Sequence, residues 1–226
     1  MFRDRHDAGR RLGRVLGHLR APQPLVLGLP RGGVPVAYEV ALALDAPLDV
    51  LVVRKIGAPM QPEFAIGAIA PGVTLVDWDL VEQLLIPPEA VERIVAAETR
   101  ELERRERIYR QGRPPLDVRG RTVILVDDGL ATGATATAAV RALRGMGAGR
   151  VVVAVPLGAR DSVEALRQAA DDVVCLETPS PFVAVGLGYE DFSPTSDAEV
   201  LQCLAAADQR MVGGRDGTAA APPSAP

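Results

Sequence analysis

VILVDDGLATGAT, from Val123 to Thr135, is an apolar run that passes directly into two acids and then into a loop of small residues. Val123, Ile124, Leu125 and Val126 are β-branched or aliphatic without alternation, the composition of a strand covered on both faces. Asp127 and Asp128 emerge at its end. Ionised carboxylates accept hydrogen bonds and donate none, so an adjacent pair suits vicinal hydroxyls or a magnesium ion carried by its ligand. Ala131, Thr132, Gly133, Ala134 and Thr135 then lead into a helix predicted over Thr135 to Met146. Small side chains leave backbone N–H groups open at a helix start, and two threonine hydroxyls add to them, which makes a phosphate cradle. Acids for a sugar and amides for its phosphate therefore lie within a few residues, at the strand end where open α/β sheets bind ligands.

Outward from this stretch, strand-like runs at Leu25 to Leu29, Val50 to Val53, Val151 to Val155 and Val173 to Leu176 alternate with helical segments at Val34 to Leu44, Thr135 to Met146 and Asp161 to Ala170. That alternation predicts an α/β fold, a doubly wound and mostly parallel sheet with helices on both faces. Short extra strands fit at Ala65 to Ile69 and Val73 to Val76. A single domain is expected over residues 1–211, with an amphipathic helix within 1–20 packing as part of a lid, and a Gly-, Ala- and Pro-rich segment, 212–226, expected to be a disordered tail.

Two further anion sites are legible. Lys55 is the only lysine among 25 basic residues, and it follows Arg54 at the predicted tip of the strand Asp49 to Val53, before the loop Ile56 to Pro62. In a chain that uses arginine elsewhere, a compact ammonium at a strand's carboxyl end points to a ligand contact. The second is Pro30-Arg31-Gly32-Gly33, between the strand ending at Leu29 and the helix from Val34. Two glycines permit close backbone approach, and Pro35 is tolerated in a first helical turn.

The Val123 to Thr135 stretch resembles the PRPP-binding signature of type I phosphoribosyltransferases, which joins four apolar residues, two acids and a threonine/glycine loop. The resemblance implies that Asp127 and Asp128 hold the ribose hydroxyls and the Mg²⁺ of bound Mg-PRPP. It gives the 5′-phosphate to Ala131, Thr132, Gly133, Ala134 and Thr135, and the pyrophosphate to Arg31, Gly32, Gly33, Arg54 and Lys55. In that family the short pyrophosphate loop often contains a non-proline cis peptide, and the loop after the Arg/Lys pair closes over the site. Gly129 departs from the family, which usually has an aliphatic residue there. A hood is implied at 179–192, where Phe182, Tyr189 and Phe192 concentrate in a chain with 4% aromatic residues. By resemblance to the hypoxanthine-guanine class, Phe182 would stack on a base and Val183 would read its edge. Ala131 replaces the aspartate which those enzymes direct at the base, so the acceptor stays open. The catalytic set implied is Asp127, Asp128 and Lys55, with Mg²⁺ as cofactor and PRPP and a small acceptor as partners. A PRPP- or nucleotide-sensing regulator, or a phosphosugar hydrolase, could use the same pocket.

A P-loop reading of the acids fails, because G-x-x-x-x-G-K-[ST] occurs nowhere in the chain. The predicted helix Pro87 to Arg110 carries Glu–Arg pairs at i,i+4, which suits a solvated face or a dimer surface. A net charge of −4, 48% hydrophobic residues and two cysteines fit a reduced cytoplasmic enzyme that binds neither nucleic acid nor membrane, and the family resemblance implies nucleotide metabolism and a homodimer.

Overall fold

Along the central strand, Val123 and Leu125 enter one hydrophobic core while Ile124 and Val126 enter another, and all four are fully buried. A strand with no exposed face needs layers on both sides, and the computed structural model, which describes residues 1–21 and 23–216, has them. The elements run α1 (Arg5–Val15), β1 (Leu25–Gly28), α2 (Gly33–Leu44), β2 (Leu48–Val50), β3 (Arg54–Ala58), β4 (Gln61–Ala70), β5 (Val73–Val76), α3 (Trp78–Gln83) and α4 (Pro88–Tyr109). They continue with β6 (Thr122–Val126), α5 (Ala134–Gly145), β7 (Arg150–Leu157), α6 (Arg160–Leu166), β8 (Asp172–Glu177) and α7 (Asp197–Asp216).

Five strands form one all-parallel sheet in the order β2-β1-β6-β7-β8. Residues of α1, α2, α4 and α7 share one core with this sheet, and residues of α5 and α6 share the other. The order reverses between β1 and β6. A doubly wound sheet opens its crevice at such a switch point, so the ends of these two strands are where a ligand belongs.

The sequence expectation needs correction beyond β2. That strand ends at Val50, and Arg54-Lys55 does not stand at its tip but begins β3 of a separate antiparallel sheet, β3-β4-β5. The expected loop Ile56 to Pro62 is a hairpin, with Ile56 paired to Gly67 and Ala58 to Gln61 around Pro59-Met60. Apolar β-branched composition at 50–53 looks like strand in either case, and Leu51 N–H still donates to the Gly28 carbonyl at 3.1 Å just past the end of β2. The amino-terminal helix α1 packs on α2, with Leu12 and Leu16 in the core beside Val36 and Val40. The last helix runs to Asp216, into the segment expected to be a tail, and 217–226 lie outside the described residues.

Candidate active site

The two strand ends at the switch point are in direct contact. Leu29 N–H donates to the Val126 carbonyl at 2.9 Å, which extends the β1–β6 pairing by one residue and brings the turn Pro30 to Gly33 against Asp127 and Asp128. A Cβ on Gly32 would lie 2.0 Å from Asp128 Oδ2, and one on Gly33 would lie 2.7 Å from the Val126 carbonyl oxygen and 2.9 Å from Asp127 Cα. At Gly33 backbone atoms leave no room for a Cβ, whereas at Gly32 the Asp128 carboxylate would have to move aside. The peptide bond between Pro30 and Arg31 is cis, as the family resemblance implies.

Burial pushes the Asp127 carboxyl well above the usual carboxylate range, and the neighbouring Asp128 charge adds to it. Asp128 is raised as well, again by burial, with Arg5 acting in the opposite sense. Oδ1 of Asp127 accepts the Asp128 N–H at 2.9 Å. The Tyr189 hydroxyl donates to the Asp128 carbonyl, so backbone and side chain of this residue are both tethered.

At the start of α5, Gly133 takes positive φ (75°) as the residue before the helix, and Ala134 N–H reaches Thr132 Oγ1 at 3.4 Å. Ser162 donates to the Ala131 carbonyl at 2.6 Å and holds the loop from outside. The first-turn amides of a helix lack intrahelical acceptors, which suits such a position to an anion.

A cleft of about 790 Å³ joins Pro30 and Thr135 to Arg54, Lys55 and Gly57 of the hairpin and to Arg93 of α4. The second sheet thus brings Arg54 and Lys55 to an opening that Pro30 also lines, from a different element than sequence suggested, whereas Arg31, Gly32 and Gly33 do not line it. Arg54 is engaged by Glu98 of α4 at 2.6 Å. The Arg31 guanidinium lies 3.9 Å from Asp197 at the start of α7 and lines a smaller cavity with Arg104 and Arg105. Its backbone stays in the diglycine turn.

The 179–192 segment folds over the carboxylates. Tyr189 is buried and packs against Phe2 and Phe192 in tilted arrangements, with ring centroids 5.6 and 5.0 Å away. Phe182 packs partly buried against the same cluster, and Val183 is 73% exposed. Gly129 now has a reason. A Cβ there would meet Val185 Cγ1 at 2.4 Å, so its smallness admits the covering segment.

Sequence reading missed Arg5. Its Nε donates to Asp128 Oδ2 at 2.8 Å, across a separation of 123 residues. In a helix crowded with arginines no local signal marks this one.

Among the described residues no group of three or more His, Cys, Asp or Glu side chains gathers as a metal site. Two adjacent carboxylates instead fit a magnesium ion that arrives on phosphate oxygens and keeps several waters. No helix among the described residues is long and apolar enough to cross a membrane.

Comparison with known proteins bears on the family of the chain. A protein of Mycobacterium tuberculosis H37Rv named "Putative phosphoribosyl transferase Rv0571c" is 50% identical over 205 residues, which is 90% of this chain and 46% of that protein. The chain thus spans about half the length of the curated relatives it matches. The ribose-phosphate pyrophosphokinase of Methanopyrus kandleri is 41% identical over 76 residues, 32% of this chain and 26% of that protein. Among solved structures, TT1426 from Thermus thermophilus superposes with a TM-score of 0.83 at 44% identity, covering 90% of this chain and 97% of that one. The model of the phosphoribosyl transferase domain matches residues 7–191. With the diglycine turn, the paired acids and the small-residue loop before α5 gathered at one switch point, the chain belongs to the phosphoribosyl transferase domain family.

Proposed function

We propose that this protein transfers the phosphoribosyl group of PRPP to a nitrogen nucleophile, a nucleobase, and releases pyrophosphate. One observation carries the reading: Gly32 and Gly33 are packed on Asp127 and Asp128 so closely that a single ligand would touch both. A sugar whose hydroxyls meet the acids and whose 1-diphosphate meets the turn fits that distance, and its 5′-phosphate falls to the α5 cradle. In the reaction the bond from C1′ to the diphosphate oxygen breaks, the acceptor nitrogen takes its place on C1′, and the acceptor's proton goes to solvent.

The protein's part is to hold the reactants in line and to stabilise charge on the leaving diphosphate. Lys55 and the amides of the turn serve the diphosphate. Magnesium bound to PRPP would share that charge, with Asp127 and Asp128 taking the hydroxyls and the waters of its shell. The β3–β4 hairpin walls the cleft and limits water, which would otherwise compete as acceptor. Phe182 and Val183 are assigned to the base, and a cytoplasmic homodimer completes the reading.

Titration calorimetry with PRPP, with and without Mg²⁺, tests it, followed by a panel of bases assayed for pyrophosphate release. Saturable magnesium-dependent binding and base-dependent release are expected. Binding with no release on any base would favour a PRPP sensor, and release to water alone would favour a hydrolase.

A further inference from the structure

Residues 2–5 reach the carboxylate pair from the far end of the chain. Phe2 N–H donates to the Gly188 carbonyl at 2.8 Å, Glu190 N–H to Phe2 at 2.8 Å and Asp191 N–H to Arg3 at 2.9 Å, so the amino terminus is stitched to the covering segment. From there Arg5 turns inward. Its Nε holds Asp128 Oδ2 at 2.8 Å, its Nη1 donates to the Ser193 carbonyl at 2.8 Å, and its Cζ lies 4.0 Å from the Phe192 ring centroid. The Arg5 and Asp128 side chains are 11% and 16% exposed, so solvent screens the pair little. The same guanidinium abuts the diglycine turn, since a Cβ on Gly32 would lie 3.1 Å from Nε.

We propose that Arg5 is a positioning residue of the PRPP site, acting through Asp128; this rests on the functional reading above. A carboxylate offers about four lone-pair directions, and the contact with Arg5 is made through Oδ2. Acceptor capacity is left for a sugar hydroxyl while Arg5 stays in place. Held on Phe192 and Ser193, the guanidinium fixes the carboxylate's rotamer before the ligand arrives. Alone, Asp128 would have to be ordered as a buried anion during binding. Fixed rigid acceptors hold hydroxyls more tightly than mobile ones, because the ordering entropy is lost in advance.

The test is a double-mutant cycle of Arg5→Met and Asp128→Asn, read as the Kd of Mg-PRPP by calorimetry, with melting temperature recorded for every variant. Arg5→Met is expected to weaken binding by about tenfold or more in the parent and by less than about threefold in the Asp128→Asn background. Arg5→Lys, which keeps the charge and loses the fork, should recover part of the loss. Arg11→Met is the control, because Arg11 pairs with Asp7 at 2.8 Å and covers the Phe2 ring without touching Asp128. It should bind PRPP as the parent does. Losses that add fully across the cycle, or an Arg5→Met variant that binds like the parent, overturn the assignment. If Arg5→Met does not fold, Arg5→Lys decides, and parent-like affinity in it together with an additive cycle at Asp128→Asn overturns the role. Failure of the parent itself to bind PRPP sinks the functional reading instead and is seen before any variant is made.

Discussion

A methyl group on Gly32 would sit 2.0 Å from Oδ2 of Asp128, closer than any two such atoms can approach, so turn and carboxylate are fitted to one another. Gly32→Ala should therefore push the Asp128 side chain off Arg5 and lower PRPP affinity by about tenfold or more at a modest cost in stability. Gly33→Ala meets backbone atoms of Val126 and Asp127, which yield less, and should lose about 1–3 kcal/mol in urea denaturation. Parent-like PRPP affinity in Gly32→Ala would show that the contact does not shape the site.

Asp127 stores a cost of folding. Its carboxyl is raised from 3.8 by burial first and by Asp128 second, so the folded state binds its proton more tightly than the unfolded state does. Stability from this group is present below the unfolded pKa and is lost as pH rises through the folded one. Asp127→Asn should show no gain over the parent near pH 4 and should gain stability relative to it as pH rises toward 8. It should also fail to bind Mg-PRPP. Melting temperatures of the two proteins across this pH range check the sign, and a gap that does not widen with pH refutes it.

Gly129 and Val185 form a size-matched pair, since a Cβ on the glycine would be 2.4 Å from Val185 Cγ1. Gly129→Ala should destabilise by about 1–2 kcal/mol through overpacking, and Val185→Ala in the same chain should recover most of it. Urea midpoints of the two single variants and the double variant give the coupling. Additive losses would mean that the covering segment is placed by other contacts.

Lys55 lines the cleft beside Pro30 and Thr135. Lys55→Ala should lower turnover by about 10²-fold, the scale of one lost charge contact to a leaving group. The effect on stability should be smaller than the effect on turnover. Steady-state pyrophosphate release and thermal denaturation separate the two, and a variant that loses stability and keeps its rate would remove Lys55 from the chemistry.

Legibility in the sequence followed from whether a feature is local. The run Val123 to Val126 announces a strand buried on both faces because nothing in it is polar, and Asp127-Asp128 must then fall at its end. The diglycine turn is equally local. By contrast, 50–53 and 54–58 read as one strand and a loop, because an apolar composition does not say which edge a strand pairs with. The structure ends the first at Val50 and gives Arg54 to Ala58 to β4. Among the aromatics of 179–192, spacing alone could not separate Tyr189, buried beneath Phe2, from Phe182, only partly buried.

By itself the sequence determined the layers, the strand that ends in acids and the small-residue loops beside it, since these follow from periodicity and side-chain size within a few residues. Only tertiary structure decided the rest. The order β2-β1-β6-β7-β8 sets Gly32 against Asp128, the second sheet carries Lys55 to the cleft, and the amino terminus delivers Arg5 to a carboxylate 123 residues away. Such contacts depend on how whole elements stack to bury their apolar faces, and no window of sequence contains that choice.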